Sequence, residues 1–202
     1  MSGRLLTILL ATGLAVSLAR LGRSVSDFHL PGNQQSYEPV QPIAYSHRLH
    51  AGELQIPCLY CHSAAESSRH AGIPAANVCM NCHKFVTTTL GALRAEDEAA
   101  QKESRLPRRL VSPEIQKIYD ALGPDGKPIA WVRIHRLPDF VYFDHRAHVT
   151  ARVDCQRCHG QVTSMERLRQ AETLSMGWCV NCHRESIRSG MKASIDCGTC
   201  HY

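Results

Sequence analysis

The chain has 202 residues, of which only 6% are aromatic, and carries 23 Lys and Arg against 18 Asp and Glu. A formal net charge of +5 with no basic cluster interleaved with aromatics excludes a nucleic-acid surface. Its 10 cysteines all recur in one spacing five times over, which excludes a disulfide scaffold.

The chain opens with Met1-Ser2-Gly3-Arg4, an apolar run from Leu5 to Ala19, then Arg20 and Arg23. This segment, residues 1–23, falls between the core of a signal peptide and a spanning helix of about 20 residues. Ser17-Leu18-Ala19 passes as a small-residue cleavage site. Against cleavage, the run extends to Leu21 when Arg20 snorkels to the interface. The segment is therefore either a signal or an anchor. A retained run 5–21 at 1.5 Å per residue spans roughly 25 Å, short of a hydrocarbon core of about 30 Å. Residues 24–44, with Pro31, Gly32, Pro39 and Pro42, read as an extended linker, and His29 within it reads as a solvent-exposed histidine.

Residues 45–90 carry the first pair of C-x-x-C-H motifs, Cys58-Leu59-Tyr60-Cys61-His62 and Cys79-Met80-Asn81-Cys82-His83. This is the c-type haem attachment signature. Two thiols three residues apart each form a thioether to one haem vinyl group, and the following histidine becomes the proximal iron ligand. Zinc ribbons also use C-x-x-C, but without a histidine at a fixed next position. Upstream stands Tyr45-Ser46-His47-Arg48-Leu49-His50, in which Ser46 is placed to cap a short helix.

Residues 91–134 form a connector within a 71-residue gap from Lys84 to Asp154. A charged helical stretch is expected over 91–104. A second helix is expected from Ser112 at the N-cap and Pro113 at the first position to Gly123, with Ile115, Ile118, Tyr119 and Leu122 as its apolar stripe. That stripe is expected to pack on a haem edge. Gly123-Pro124-Asp125-Gly126-Lys127-Pro128 is a turn-rich connection. Trp131-Val132-Arg133-Ile134 alternates as a short strand does, with His135 next on its polar face.

Residues 135–202 repeat the first unit. Phe143-Asp144-His145-Arg146-Ala147-His148 precedes Cys155-Gln156-Arg157-Cys158-His159, and Cys179-Val180-Asn181-Cys182-His183 follows. An aromatic, a capping Ser or Asp, H-R-x-H, C-x-x-C-H and then C-x-N-C-H-[K/R] recur in both halves, which marks a duplicated unit. A fifth motif, Cys197-Gly198-Thr199-Cys200-His201, stands outside the repeat. Export across a membrane follows, because covalent haem attachment occurs on the outer side.

Five proximal histidines, His62, His83, His159, His183 and His201, leave the distal ligands to be found. Histidines at i and i+3 project to the same side of a helix about 60° apart. His47 and His50, like His145 and His148, therefore bind two different irons rather than embracing one. His70 and His135 compete for the fifth distal place, with Met165 or Met176 as the alternative. From His47 to Tyr202 there are 156 residues, about 31 for each of the five motifs. So short a chain cannot wrap five macrocycles in separate cores, so the haems themselves must be the interior. The expected fold is mainly helical and irregular, with short helices around stacked haems and very little sheet. Each oxidised haem with two propionates adds about one negative charge, so five of them offset the +5.

The aromatic-x-H-x-x-H-x₆₋₇-C-x-x-C-H unit resembles the class III multihaem cytochromes c. More specifically, three stretches are similar to the pentahaem subunit of alternative complex III. They are residues 41–52, residues 131–143 and Leu174-Ser175-Met176-Gly177-Trp178-Cys179. The resemblance implies a cytochrome anchored by its N-terminus on the outer (periplasmic) face of the cytoplasmic membrane. It also implies a complex with an iron–sulfur subunit and quinol-binding membrane subunits, delivering electrons to a small cytochrome c or an oxidase. All five motifs are regular and the histidines suffice to saturate the irons, so the expected role is an electron wire with no substrate site. A multihaem subunit of another quinone-linked complex is the alternative within that role. A small reductase with one open iron is the alternative outside it.

Overall fold

The computed structural model describes residues 3–26 and 34–202. His29, Pro31 and Gly32 lie outside the described residues. About half of the chain is helical. The helices are α1 (Gly3–Ser26), α2 (Cys58–Cys61), α3 (Ala76–His83), α4 (Leu90–Lys102), α5 (Pro113–Leu122), α6 (His145–Thr150), α7 (Gln156–His159), α8 (Met176–Arg188) and α9 (Cys197–Cys200). A π-helical turn, Arg48–Glu53, and two 3₁₀ turns, Ser63–Glu66 and Val162–Ser164, complete the regular structure. Among the described residues, β pairing amounts to one isolated antiparallel bridge, Val141 to His201. The expected helical, nearly sheet-free architecture is what is found.

The 24 residues of α1 reach about 36 Å at 1.5 Å per residue, well beyond the apolar run 5–21. The helix continues through Arg20 and Arg23 because no Gly-Pro breaker comes before Pro31. Its apolar window, Gly3–Gly22, has a mean hydropathy of 1.8 and is not buried against the rest of the chain.

The described part of the expected linker, residues 34–44, is extended but lies docked on the body. Ser36 N–H donates to Gln170 O at 2.7 Å and Gln170 N–H to Tyr37 O at 3.1 Å. The Gln41 side-chain amide donates to Val132 O at 3.0 Å and accepts from Val132 N–H at 2.9 Å. That side chain takes the place of a neighbouring strand, which is why the alternating stretch 131–134 forms no strand. Ala44 N–H donates to Glu114 at 2.6 Å, so the linker ends at the first turn of α5.

α5 forms where its capping signals place it, and α4, expected over 91–104 from its charged pattern, runs from Leu90 to Lys102 behind a Thr89 cap not singled out from the sequence. Thr89 Oγ1 accepts from Ala92 N–H to open α4, and Ser112 Oγ accepts from Ile115 N–H to open α5. The stripe of α5 packs on α3, the helix that carries the second C-x-x-C-H motif. Ile118 is buried there and Tyr119 O–H donates to His83 O at 2.8 Å.

The two repeat units cross over. The π-helical turn of the first half packs on Val162–Ser164 of the second, and α6 of the second packs on Ser63–Glu66 of the first. Arg48 N–H donates to Met165 O at 2.9 Å, and Arg146 N–H reciprocally to Ser68 O at 3.2 Å. This is the signature of a pseudo-twofold axis between halves. One difference in length sits on it: seven residues separate His50 from Cys58, but six separate His148 from Cys155. The extra residue is absorbed by widening the helix, with Leu54 N–H donating to Leu49 O across a π turn.

Six apolar residues are buried among those described: Ile43, Ala65, Ala100, Ile118, Ile134 and Met165. The surface area is 14839 Å², against roughly 9,500 Å² for a close-packed monomer of this mass. Exposed α1 accounts for part of the excess.

Two expectations follow. A Cβ on Gly52 would overlap the Thr163 carbonyl oxygen, whereas one on Gly91 meets nothing within 4 Å. Gly52→Ala should lower the denaturation midpoint by the equivalent of about 1–3 kcal/mol, with Gly91→Ala neutral or slightly stabilising. Intact mass of the membrane-extracted protein separates the two readings of α1, whose apolar window Gly3–Gly22 is long enough to cross a membrane by length and composition: a retained anchor includes residues 3–26. A mature N-terminus at Arg20 or beyond would refute retention of α1.

Candidate haem-binding site

Each C-x-x-C-H motif sits on or beside one turn of helix, so its two cysteines, three residues apart, emerge on the same face. Local sequence nucleates these turns. Asp154 caps the turn of α7 through Gln156 N–H, Ser175 caps α8 through Trp178 N–H, and Asp196 caps α9 through Gly198 N–H. None of the ten cysteines is paired in a disulfide.

The histidines follow one rule. Nδ1–H of His50 donates to Ser46 O at 2.9 Å, and that of His148 to Asp144 O at 2.8 Å. His62 donates to Gly72 O at 2.7 Å, His83 to Val86 O at 2.8 Å and His183 to Ser194 O at 2.6 Å. His145 reaches across the pseudo-twofold axis to Arg69 O at 2.8 Å. A carbonyl only accepts, so each of these Nδ1 atoms carries the proton and each Nε2 keeps a free lone pair. That is the tautomer a metal-ligating histidine needs, with its outer nitrogen held by the protein.

The rings also stand in facing pairs. Centroids of His50 and His83 lie 6.1 Å apart, those of His148 and His183 6.0 Å, and those of His145 and His159 6.3 Å. Two imidazoles bound through nitrogen to opposite sides of one metal, at about 2 Å each, would stand roughly 6 Å apart. His47 keeps company with His62. Burial first, then the charges of His62 and His50, lower His47 to about 4, so it stays neutral at physiological pH. Its Nδ1 is buried without a protein partner.

An aromatic two residues before each H-x-x-H fixes both rings. Tyr45 meets His47 edge-on at 4.9 Å and stacks on His50 at 4.4 Å. Phe143 meets His145 edge-on at 4.8 Å and stacks on His148 at 4.6 Å. The capping positions hold as well: Ser46 Oγ accepts from Leu49 N–H and Asp144 from Arg146 N–H.

The motifs abut in a definite order. Burial, then neighbouring Cys79, Cys58 and Cys82, raise the Cys61 thiol, which joins the first motif to the second. Burial, then Cys58, within hydrogen-bonding reach, raise Cys155, so the first and third motifs meet at the pseudo-twofold axis. Burial, then Cys182 and Cys179, push Cys158 up to about 11, which joins third to fourth. Burial, then Cys200, raise Cys179, which joins fourth to fifth. The spatial order is thus second, first, third, fourth, fifth.

The remaining candidates are placed less symmetrically. The ring facing His201 is Phe140, stacked at 5.8 Å. His70 is exposed, makes no ring contact among the described residues, and has its backbone N–H on Ser68 Oγ at 3.3 Å. His135 lies against His159, with ring centroids 4.4 Å apart at 75°. Met165 is buried core, and Met176 is exposed at the start of α8. The carbonyls of Gly72, Val86, Arg69 and Ser194 that orient the histidines carried no sequence signal, because a backbone acceptor can be any residue.

No group of three or more His, Cys, Asp or Glu among the described residues converges as a metal cage. The donors come as facing pairs beside paired thiols, which suits an iron that brings its own four equatorial nitrogens. The residues fit haem c.

Comparison with known proteins agrees with this geometry. Residues 141–202 match the family model of cytochrome c7 and related cytochrome c. A curated relative from Nitratidesulfovibrio vulgaris, "Menaquinone reductase, multiheme cytochrome c subunit", is 26% identical over 182 residues, covering 80% of this chain and 76% of its own. Over its last 62 residues, just under a third of its length, the chain is therefore similar to cytochrome c7 and related cytochromes c, and haem-borne electron transport is the role this supports.

Replacing His50 or His148 by Ala should convert one haem equivalent to a high-spin ferric form. Electron paramagnetic resonance of the oxidised protein reads this directly. A fully low-spin spectrum for both variants would show that the 6.0 and 6.1 Å ring gaps are not occupied by iron.

Proposed function

We propose that the chain is a pentahaem cytochrome c that relays electrons within a quinone-linked membrane complex and performs no substrate chemistry itself. When bound, haem c supplies a one-electron ferric/ferrous couple whose potential the axial ligands tune. The observation that carries the reading is the set of facing histidine rings, His50 with His83 at 6.1 Å, His148 with His183 at 6.0 Å and His145 with His159 at 6.3 Å, each pair including the histidine of a C-x-x-C-H motif.

In this reading the cysteines Cys58, Cys61, Cys79, Cys82, Cys155, Cys158, Cys179, Cys182, Cys197 and Cys200 hold five haems. His62, His83, His159, His183 and His201 are their proximal ligands. His47 serves the first motif, His50 the second, His145 the third and His148 the fourth. Each H-x-x-H helix thus clamps two successive sites, fixing their separation by helix geometry rather than by loops.

The stretches similar to alternative complex III favour electrons arriving from quinol and leaving to a small cytochrome c or oxidase. Iron–sulfur and quinol-binding membrane subunits would be the partners, and α1 would hold the chain at the periplasmic face. The relative named as a menaquinone reductase subunit supports a second reading, in which electrons run from a periplasmic cytochrome towards quinone.

Pyridine haemochrome and intact mass of the isolated complex should give five covalent haems per chain; four or fewer after complete maturation would refute the site reading. Mixing the oxidised complex anaerobically with menaquinol should reduce its haems, and oxidised small cytochrome c should then drain them. Reduction by the small cytochrome with subsequent loss to menaquinone would establish the second direction. No exchange with either quinone form would refute the quinone linkage.

A further inference from the structure

Six histidines send Nδ1–H to a backbone carbonyl. His159 does not: its Nδ1 lies 3.3 Å from His135 Nε2. On the other side, the His159 ring faces His145 at 6.3 Å and nearly parallel, 13° between planes. One edge of His159 therefore meets a facing imidazole across a wide gap, and the other edge meets His135 directly.

We infer that His135 is a positioning residue that accepts the Nδ1 proton of His159, and is not itself an iron ligand. The inference rests on the haem reading proposed above. Ring centroids 4.4 Å apart leave no room for a metal between His135 and His159, since an axial pair needs roughly 6 Å. With His159 Nε2 directed to iron, its Nδ1 carries the proton, and the nearest acceptor is His135 Nε2.

The segment bearing His135 is built to hold it still. Ile134 is buried beside it. Arg133 Nε donates to His135 O at 3.0 Å, and the Gln41 amide grips both Val132 backbone groups. This gives His135 a role other than the fifth distal place for which it competed with His70.

The consequence is specific to the third site. An imidazole nitrogen is a more basic acceptor than a peptide carbonyl, so His159 gains more imidazolate character than the other proximal histidines. Greater ligand basicity stabilises ferric iron and lowers the potential. The third site lies in the middle of the line, at the crossing between halves, where its potential governs passage from one half to the other.

The test uses the isolated, haem-loaded complex with His135→Leu and His135→Gln. Spectroelectrochemical titration of His135→Leu should show one of five haem components shifted to higher potential, the others unmoved, with no high-spin signal beyond that of the wild-type protein. His135→Gln, which keeps a carbonyl acceptor, should return that component most of the way. Unchanged potentials in His135→Leu would overturn the inference. So would one equivalent of new high-spin ferric signal in either variant, because that would make His135 an axial ligand. Should His135→Leu fail to mature, His135→Gln decides alone: the wild-type spin-state spectrum supports the inference and a haem newly high-spin relative to the wild type overturns it. Fewer than five haems in the wild-type protein would instead sink the reading of the site on which this rests.

Discussion

An imidazole has two nitrogens, and a chain that is to hold a metal with one must hold the ring with the other. That constraint organises the molecule. Six Nδ1–H groups end on the carbonyls of Ser46, Gly72, Val86, Arg69, Asp144 and Ser194. Two of these carbonyls lie in the same H-x-x-H turn as their histidine, Val86 follows His83 by three residues, and those of Gly72, Ser194 and Arg69 come from 10, 11 and 76 residues away. The irregular connections are therefore positioned elements rather than slack. Buried without such a bond, a ring would lose about 1–3 kcal/mol for each unmet polar atom and would leave its tautomer undefined. His47 has its Nδ1 buried and unpartnered, and His159 meets His135 Nε2 instead of a carbonyl.

The second organising fact is the scarcity of apolar protein interior. Six buried apolar residues, at about 1.5–3 kcal/mol for each fully buried large side chain, fall far short of the entropy cost of ordering such a chain. Hydrophobic burial between peptide segments is thus not what gives the fold its uniqueness. Covalent attachment at ten cysteines and paired ligation would supply both the bulk and the cross-links. The polypeptide contributes capped turns, ring stacks from Tyr45 and Phe143, and the reciprocal packing of the halves. Surface ion pairs such as Arg48 with Glu166 at 2.5 Å bridge the same interface but are half exposed, and pairs of that kind contribute little.

Much of this was legible in the residues because the chemistry is local. Cysteine spacing, the caps at Ser46, Ser112 and Asp144, and the H-x-x-H pairs depend on neighbours a few positions away. α5 forms from Pro113 to Leu122 for the same reason. What sequence did not disclose is long-range. Nothing in Gly72 or Ser194 announces an acceptor for a distant ring. The alternation of Trp131 to Ile134 reads as a strand until Gln41 is seen to occupy its edge. The linker 34–44 looked free because the groups that bind it, Gln170 and Glu114, lie far along the chain. Nothing in the apolar stripe of α5 announced that Tyr119 would donate to the backbone of His83.

The crossing of the halves has a mechanical consequence. His145 belongs to the second half, yet the carbonyl that sets its tautomer, Arg69 O, belongs to the first. Cys155 and Cys58, from opposite halves, touch at the axis. Neither half can therefore complete its own ligand geometry alone, although each carries two motifs and one H-x-x-H turn. The π-helical widening at Arg48–Glu53 fits this requirement: an extra residue in one half is taken up inside the turn, so that Arg48 still reaches Met165 and the interface keeps its register. A duplicated unit that had remained two independent modules would tolerate such an insertion in any loop. Here it is absorbed at the helix itself, because the positions of both histidines and of the opposite half's turn are fixed on either side of it.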